Sequence, residues 1–287
     1  MSSLRTDISV PGRPEVCEVS AGIYAYVQPD GTWWINNTGF LVGPQGVISI
    51  DSCATQRRTL AYLEAIAAVT PAPVRTVVNT HHHGDHTFGN CMFPAAAIVA
   101  HENVLQRMSD AKIPFKALPT ETYYGKQMKL SHFFNGEGIR LSHFAGVTDG
   151  DSLVYFRTSD VISSGEIFSP ENYPLIDLQR GGSVQGLLEG LNYMLDLIIP
   201  EFRTEGGTFI IPAHGRVSDN ADVAYYRDMV TIIRDRVQAM LKKGMTLEQV
   251  KAARPTEDWD GRLGKTTGPG TTDMFVEAVF KSLAAKK

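Results

Sequence analysis

The sequence predicts an α/β protein with the architecture of a four-layer αββα sandwich. Two groups of strand-like segments, one in each half of the chain, are each followed by helical segments. This order suits two stacked sheets with helices on their outer faces. No internal repeat and no shift in composition marks a linker within the 287 residues. We therefore expect a single domain over residues 1–287, with C-terminal helices from about 221 to 287 packed on it.

Short strands separated by turn residues open the chain. Turn sequences stand at 29–31 (PDG) and 43–44 (GP). Apolar segments between turns of this kind are typical of an antiparallel meander. The strands predicted on this basis are 23–27, 39–42 and 46–51.

A helix and a buried strand are predicted next. Leu60, Leu63 and Ile66 recur at helical spacing within 55–69, and two prolines then interrupt the pattern. The strongly apolar segment 74–79 follows, and we expect this strand to deliver His81 at its C-terminal end.

The middle of the chain combines a short strand with a long connection. A strand at 97–100 leads into a helical stretch near His101, and an irregular segment rich in Pro, Thr and Tyr follows at 109–126. A connection of this length usually contributes to a binding site or a lid, and the alternative is a disordered surface loop.

Strand signals return in the second half, with the alternation of a sheet that has one covered face. They occur at 128–134, 138–144, 152–158 and 160–164. A helix with a stripe of leucine and methionine is predicted over 183–199, before a last strand at 208–212.

The C-terminal tail is predicted to be helical. Apolar residues lie three to four apart over 221–243, and Gly244 is placed to end that helix. Thr246 and Gln249 form a capping-box pattern for a short helix that follows.

The composition is that of a soluble globular protein. Hydrophobic residues make up 43% and charged residues 20%, and the formal net charge is -4 with both signs interspersed. No basic surface for nucleic acid is therefore expected, and no apolar run reaches the length of a membrane span or a signal peptide. Cys17, Cys53 and Cys91 fit neither a disulfide framework nor a paired-cysteine zinc site. We expect a cytoplasmic protein with a small-molecule substrate and no nucleic-acid or membrane partner, and the oligomeric state stays open.

Four of the eight histidines fall within the segment 81–86 (HHHGDH). Positions two apart on an extended chain project to the same side, so His81, His83 and Asp85 can converge, while His86 comes round as the chain turns. Imidazole nitrogen and carboxylate oxygen are ligands that zinc accepts, and the cluster can hold one metal or two. The alternatives are a surface turn with incidental histidines and a structural metal staple, and Asp85 can also serve as a helix cap.

The segment 79–87 (NTHHHGDHT) resembles the HxHxDH signature of the metallo-β-lactamase superfamily, and further landmarks of that family occur in order. They are 43–51, which resembles a strand ending in an aspartate; 146–151 (GVTDGD), which resembles the Gly-His-Thr segment; 164–168 (SGEIF), which resembles the Gly-Asp-Ile/Leu-Phe segment; and 212–215 (PAHG), which resembles the Pro-Gly-His-Gly segment. The resemblance spans most of the chain, and it implies the αββα fold and a metal-dependent activity.

By this resemblance the ligands divide into two metal sites. The first site takes His81, His83 and a histidine from the Gly-His-Thr segment. The second takes Asp85, His86 and His214. A carboxylate from the fourth landmark segment bridges the two ions.

Two positions depart from the family pattern. Val147 stands where the third histidine of the first site is expected and cannot bind a metal, and Glu166 replaces the bridging aspartate with a side chain one methylene longer. Because catalytic zinc normally has three protein ligands, we expect one tightly held ion in the second site, with Glu166 as a further ligand. The first site is then weak, empty or rescued by another side chain. His143 is the nearby histidine that could help, and its alternative role is a strand histidine with a satisfied hydrogen bond.

The ligand set implies a metal-dependent hydrolase. We expect zinc, with iron or manganese as alternatives, and cleavage of an ester, lactone, thioester or amide of a small, partly apolar substrate by metal-activated water. Asp85, His81 and His83 are the expected catalytic residues, and His81 or His83 can act as general base or hydrogen-bond donor where the first site is impaired. Two alternatives stay open: an iron-dependent redox or lyase enzyme on the same fold, and a binding protein without hydrolytic activity.

Aromatic residues are expected to shape the substrate pocket. Trp33 and Trp34 could form an apolar flap over its mouth, with a core anchor as the alternative role for one of them. Tyr123, Tyr124 and Tyr173 could line the same pocket. We find neither a Gly-rich cradle nor an Arg cluster for a phosphate.

Overall fold

Two β-sheets form the centre of the molecule in the computed structural model, which describes residues 14–28, 34–134, 136–198 and 207–285. The first sheet has the strand order β1 (Glu15–Ser20), β2 (Ile23–Val27), β3 (Thr38–Gly43), β4 (Gly46–Ile50), β5 (Val74–Val78), β6 (Ala97–His101) and β7 (Glu121–Tyr123). The second has the order β12 (Phe209–Pro212), β11 (Val161–Gly165), β10 (Asp151–Phe156), β9 (Glu137–Phe144) and β8 (Gln127–Phe134). Strands β1 to β4 form an antiparallel meander and β4 to β7 run parallel, whereas β8 to β11 are antiparallel and β12 is parallel to β11.

Helices cover both outer faces of the pair of sheets. They are α1 (Gln56–Val69), α2 (Gly84–Thr87), α3 (Glu102–Asp110), α4 (Val184–Leu197), α5 (Asn220–Lys242), α6 (Leu247–Ala252), α7 (Glu257–Leu263) and α8 (Thr272–Ala284). Short 3-10 turns lie at Asn90–Met92, Phe115–Ala117 and Leu178–Arg180.

Alternation along the strands separates three layers of core. On β2, Ile23 and Ala25 belong to the core between the two sheets, whereas Tyr26 belongs to the core beneath α1. A third core joins the second sheet to α4, α5 and α8, through residues such as Ile162 and Leu191. Because side chains of a strand alternate between faces, each sheet buries both of its faces. The predicted four-layer αββα sandwich is confirmed.

The structure changes the prediction for α1. Its buried residues are Thr59, Tyr62 and Ile66, while Leu60 is 43% exposed. The hydroxyl of Tyr62 lies 2.9 Å from Ser49 Oγ and donates to the carbonyl of Gly39, which turns this side of the helix towards the sheet.

The prediction of irregular structure over 109–126 is wrong in part, because this segment contains a turn of 3-10 helix and the edge strand β7. Strand β7 pairs in parallel with β6, with Val99 opposite Glu121. Strand β1, which pairs with β2 at the other edge of the same sheet, is not predicted from the sequence. Both elements are edge strands whose backbone pairing fixes them more than their side-chain pattern does.

The C-terminal helices match the tail pattern. Gly244 has a φ of 76° and lies two residues beyond the end of α5, and Thr246 and Gln249 form the predicted capping box of α6. The predicted turn at 29–31, Trp33 and Ile199 lie outside the described residues. Among the residues described, no helix is both long and apolar enough to cross a membrane.

Candidate metal centre

The histidine segment lies at the C-terminal end of β5. The strand ends at Val78, His81 and His83 follow, and the one-turn helix α2 carries Asp85 and His86. The carbonyl of His86, in this one-turn helix, accepts from Ser52 N and Ser52 Oγ, two residues beyond the end of β4. The turn brings His86 to the same side as His81, as the spacing predicts.

The second sheet supplies the remaining residues from the ends of its parallel strands. Gly165 ends β11 with a φ of 52°, and a Cβ at this position would lie 2.9 Å from the Cβ of Thr80. Glycine therefore permits the ends of the two sheets to approach each other. Glu166 follows Gly165, and His214 lies two residues beyond the end of β12.

Four side chains form the more complete ligand cluster, which corresponds to the second site of the family pattern and is called the first cluster below: Asp85, His86, Glu166 and His214. His214 Nε2 lies 3.6 Å from Asp85 Oδ2 and 3.4 Å from Glu166 Oε1, and His86 Nε2 lies 3.5 Å from Asp85 Oδ2. A tetrahedral ion with bonds of about 2 Å spaces its ligand atoms about 3.3 Å apart. The observed separations are therefore those of ligands around one cation.

His81, His83 and Glu166 form a second cluster beside the first, at the position of the first site of the family pattern. Glu166 Oε2 lies 3.5 Å from His81 Nε2 and 3.0 Å from His83 Nδ1. Glu166 thus faces one cluster with each oxygen, which is the position of a bridging carboxylate. All six side chains named from the sequence meet at this end of the sandwich.

The atoms that face each other in these clusters have no other partner. His81 Nε2, His86 Nε2 and Asp85 Oδ2 are buried and, within the described residues, make no hydrogen bond. A buried polar atom left without a partner costs about 1–3 kcal/mol, so three in one place call for a ligand that satisfies them together. Nitrogen and carboxylate oxygen donors fit a cation of the zinc, iron or manganese type.

Groups behind the ligands orient the imidazole rings. Asp51 Oδ2 lies 2.8 Å from His86 Nδ1, and Thr80 Oγ1 lies 3.0 Å from His81 Nδ1. His214 Nδ1 donates to the carbonyl oxygen of Ile35 at 2.8 Å. Because Nδ1 of His86 and His214 is engaged from behind, the Nε2 atom of each ring is directed into the cluster. The sequence marks Asp51 as a strand-end aspartate, but its contact with a residue 35 positions away is visible only in the structure.

Burial and mutual charge set the protonation of the cluster. Burial lowers the pKa of His86 to about 4 and also lowers that of His81, so both rings are neutral at pH 7. Burial opposes ionisation of Glu166, but His83 and His81 outweigh it and hold the pKa of Glu166 well below its usual range. Burial likewise lowers the pKa of His83, and Glu166 outweighs it and raises this pKa to about 9. A cation bound here would therefore displace a proton from His83.

Val147 contributes no ligand. Its side chain is fully buried in the core beneath α4, and its backbone N–H donates to Asp151 Oδ2. His143 does not replace the missing histidine, because its Nε2 donates to the carbonyl of Asp149 at 2.7 Å and its ring stacks on His101 at 3.7 Å. The alternative role considered for His143, a strand histidine with a satisfied hydrogen bond, is the one observed.

The aromatic residues expected around the pocket separate into two groups. Trp34 is 42% exposed and stacks on Phe88, the residue that follows α2, so an apolar surface lies beside the histidine segment. Tyr124 is exposed. The prediction is wrong for Tyr123 and Tyr173, which are buried: Tyr123 lies 2.6 Å from Ser152 Oγ, and Tyr173 stacks on a phenylalanine of α8.

Comparisons with known proteins agree with this geometry. The sequence model of the metallo-β-lactamase superfamily matches residues 31–197. A metallo-β-lactamase from Pontibacter korlensis is similar in structure with a TM-score of 0.62 and 15% identity, over 76% of this chain and 99% of that one. A stereoselective inverting sec-alkylsulfatase from Pseudomonas sp. is similar with a TM-score of 0.69 and 16% identity, over 93% of this chain and 50% of that one. At these identities the likeness shows the fold.

One similar protein is the 2,4-dinitroanisole O-demethylase subunit alpha of Nocardioides sp. (strain JS1661). The two sequences are 34% identical over 144 residues, which make up 47% of this chain and 42% of the relative. The match therefore spans about two-fifths of the relative's length.

Proposed function

The chain belongs to the metallo-β-lactamase superfamily, and we propose that it is a zinc-dependent hydrolase that cleaves an ester, lactone, thioester or amide bond of a small, partly apolar substrate. The observation that carries the proposal is the one-sided exposure of the ligand cluster. His81, His86 and Asp85 are almost fully buried, whereas the side chains of His83 and His214 are 19% and 18% exposed. Structural metal sites are closed, and catalytic sites keep an open position.

A bound ion of this kind supplies a lowered pKa for a water molecule and polarisation of a carbonyl oxygen. The protein's own residues position the reaction. Asp51 and the carbonyl of Ile35 fix the rings of His86 and His214 from behind. While it ligates no ion, His83, which is more exposed than His81, can reach a substrate to accept or donate a proton. The Trp34–Phe88 stack offers an apolar surface beside this opening for the non-reacting part of the substrate.

The test is turnover of a panel of esters, lactones, thioesters and β-lactams by zinc-loaded protein in ¹⁸O-labelled water. We expect one ¹⁸O atom in the acid product and no consumption of oxygen. His214→Asn should reduce turnover to the level of the metal-free protein, whereas His143→Gln, which changes a histidine outside the cluster, should retain it. Inertness of the zinc-loaded protein towards the whole panel would contradict the proposal and favour a binding protein.

Similarity to the O-demethylase subunit supports a second candidate, removal of a methyl group from an aryl methyl ether. Two chemistries give the phenol. Hydrolysis adds water and releases methanol, whereas oxidation consumes oxygen and two electrons from a reductant and releases formaldehyde and water. Assay of 2,4-dinitroanisole under anaerobic conditions separates them, because methanol without oxygen indicates hydrolysis. Formaldehyde that forms only with oxygen and a reductant, on iron-loaded protein, would favour the redox alternative.

A further inference from the structure

The turn that carries Val147 is covered by a second turn that brings in a carboxylate. The backbone N–H of Asp177 donates to the carbonyl of Val147 at 2.8 Å, and that of Asp149 donates to the carbonyl of Arg180 at 2.9 Å. Gly182 has no side chain at the point where a Cβ would overlap the carbonyl of Val147. Asp177 is therefore held against the residue that stands in place of the family histidine.

Asp177 meets two histidines of the metal-binding segment. His82, His83 and Asp177 each offer one ligand atom, and these atoms lie within 4.8 Å of one another. The rings of His82 and His83 are 5.1 Å apart between centroids and nearly perpendicular, at 70°. His82 Nδ1 is buried and, within the described part of the chain, has no hydrogen-bond partner. Two imidazoles and one carboxylate form a ligand set of the kind that holds zinc.

His83 lies between this group and the second cluster. Its Nδ1 faces Glu166 Oε2 at 3.0 Å, and its ring lies against the rings of both His81 and His82. The two nitrogens of an imidazole point in different directions, so the ring can face Glu166 with one and the His82–Asp177 pair with the other. A neutral ring has one lone pair, so His83 can ligate an ion in only one of the two groups at a time.

The charges around the group permit a cation. Arg180 Nη1 lies 3.0 Å from Asp177 Oδ2, but the arginine is 46% exposed, and exposed pairs of this kind contribute little. Arg107 is paired with Asp149 through two nitrogens. Arg107 is thus neutralised by a carboxylate outside the group, whereas Arg180 is paired with Asp177 itself through the exposed contact. The carboxylate of Asp177 belongs to this group and not to the first cluster. The carboxylate of Glu166, by contrast, already faces His214 of the first cluster.

We propose that a second divalent cation binds His82, His83 and Asp177, displaced from the family's first site towards the turn at 177–182. The substitution by Val147 thereby moves the site and does not abolish it. The proposal extends the proposed function, and it rests on that function only for the ion held by Asp85, His86 and His214.

The test is zinc content per chain, measured by elemental analysis after equilibration at low and at high buffered free zinc. The wild-type protein should hold one equivalent at low and two at high free zinc. Asp177→Asn keeps the cap that its Oδ1 provides to Gln179 N and Arg180 N, and it should lose only the second equivalent. His82→Asn should behave in the same way. Asp149→Asn, the matched change on the facing turn, and His81→Asn should retain both.

The opposite pattern would overturn the proposal: loss of the second equivalent in His81→Asn with retention in His82→Asn and Asp177→Asn would assign the ion to the family position. Absence of a second equivalent in the wild type would overturn it as well. Metal content does not depend on turnover, so a protein inert towards every substrate leaves this result readable. Anomalous scattering at the zinc edge, with a peak between His82 and Asp177, is the second measurement where a variant fails to fold.

Discussion

At the level of single residues, Asp51 prepares the metal centre without belonging to it. The side chain is buried and its backbone adopts a φ of 63°, a conformation that Asp tolerates better than most residues. Asp51 Oδ1 accepts from Thr80 N and Oδ2 from Thr80 Oγ1, while His86 Nδ1 lies 2.8 Å from Oδ2. The carboxylate therefore ties the end of β4 to the metal-binding segment and fixes the ring of His86.

Asp51→Asn should weaken zinc binding at the first cluster. The amide has the same shape and tolerates the same backbone, but an NH₂ group in place of Oδ2 can accept neither from Thr80 Oγ1 nor from His86 Nδ1. Loss of such a supporting contact typically reduces metal affinity by about 10- to 100-fold. Competition with a chromophoric chelator measures the change. Asp110→Asn, at the exposed end of α3, serves as the control, and equal affinities for the two variants would show that Asp51 does not orient His86.

Site residues that lie close together in the sequence can be predicted from the sequence alone. The spacing of His81, His83 and Asp85 along an extended chain indicates a ligand set by itself. Val147 could be recognised as a gap only against the family pattern. Asp177 could not be found, because it lies 94 residues beyond His83 and only the contact between two turns brings them together.

At the level of elements, helix α4 is seated closely on the turn that precedes β10. A Cβ built on Gly186 would overlap the carbonyl oxygen of Ala145, and Ser183, the cap of α4, donates from Oγ to the same carbonyl. Glycine is usually unfavourable inside a helix. At this position it allows the helix to approach the turn at 145–149, against which Asp177 is held.

Gly186→Ala should destabilise the protein by about 1–3 kcal/mol, because overpacking outweighs the gain in helix propensity. Gly261→Ala in α7 is the matched control, since nothing lies within 4 Å of a Cβ there. That change should be neutral or stabilising by up to about 1 kcal/mol. Urea denaturation measures both, and a neutral Gly186→Ala would show that the helix does not need this close approach.

The cap of α3 should make the stability depend on pH. His101 Nδ1 accepts from Asn103 N, and burial, together with the adjacent His143, lowers the pKa of His101 to about 4. The unfolded state binds the proton more readily, so this contribution is complete above about pH 6.5 and is lost as the pH falls towards 4. His101→Asn keeps a capping acceptor and does not titrate.

The wild type should therefore lose stability relative to His101→Asn between pH 6.5 and 4, by at most about 1.4 kcal/mol per pH unit. Unfolding free energies from urea titrations at several pH values provide the comparison. Parallel profiles for the two proteins would show that His101 is not kept neutral by the fold.

The sequence predicts those helices and strands whose apolar side chains recur at a regular period. The strand β2 and the long helix α5 follow directly from apolar periods of two and of three to four residues. The buried face of α1 differs from the expected one, because the hydroxyl of Tyr62 donates a hydrogen bond to the sheet. A prediction from apolar periodicity does not take such a bond into account. The edge strand β7 escapes prediction because its neighbour β6 determines it through the backbone.

At the level of the whole molecule, the metal centre lies outside the three large apolar cores and the smaller one beneath α3. Those cores join the layers of the sandwich, and the ligands occupy the end where β4, β5, β11 and β12 finish. Ligands in such crevices at strand ends are common in α/β folds. The fold should therefore survive without the ion.

Removal of zinc with a chelator should leave the far-ultraviolet circular dichroism spectrum unchanged and lower the Tm. Binding at a free concentration of 100 times Kd stabilises by about 2.7 kcal/mol, which corresponds to a shift of roughly 4–5 °C for a domain of this size. Loss of the spectrum on chelation would instead identify a structural metal staple.

The metal content of protein purified without added metal and dialysed exhaustively tests the ligand assignment. Asp85, His86, Glu166 and His214 form the complete cluster, so we expect close to one zinc per chain in the wild type and none in His214→Asn. A wild-type protein with no metal, a wild-type protein with two tightly held ions, or a His214→Asn variant that retains its ion would contradict this assignment.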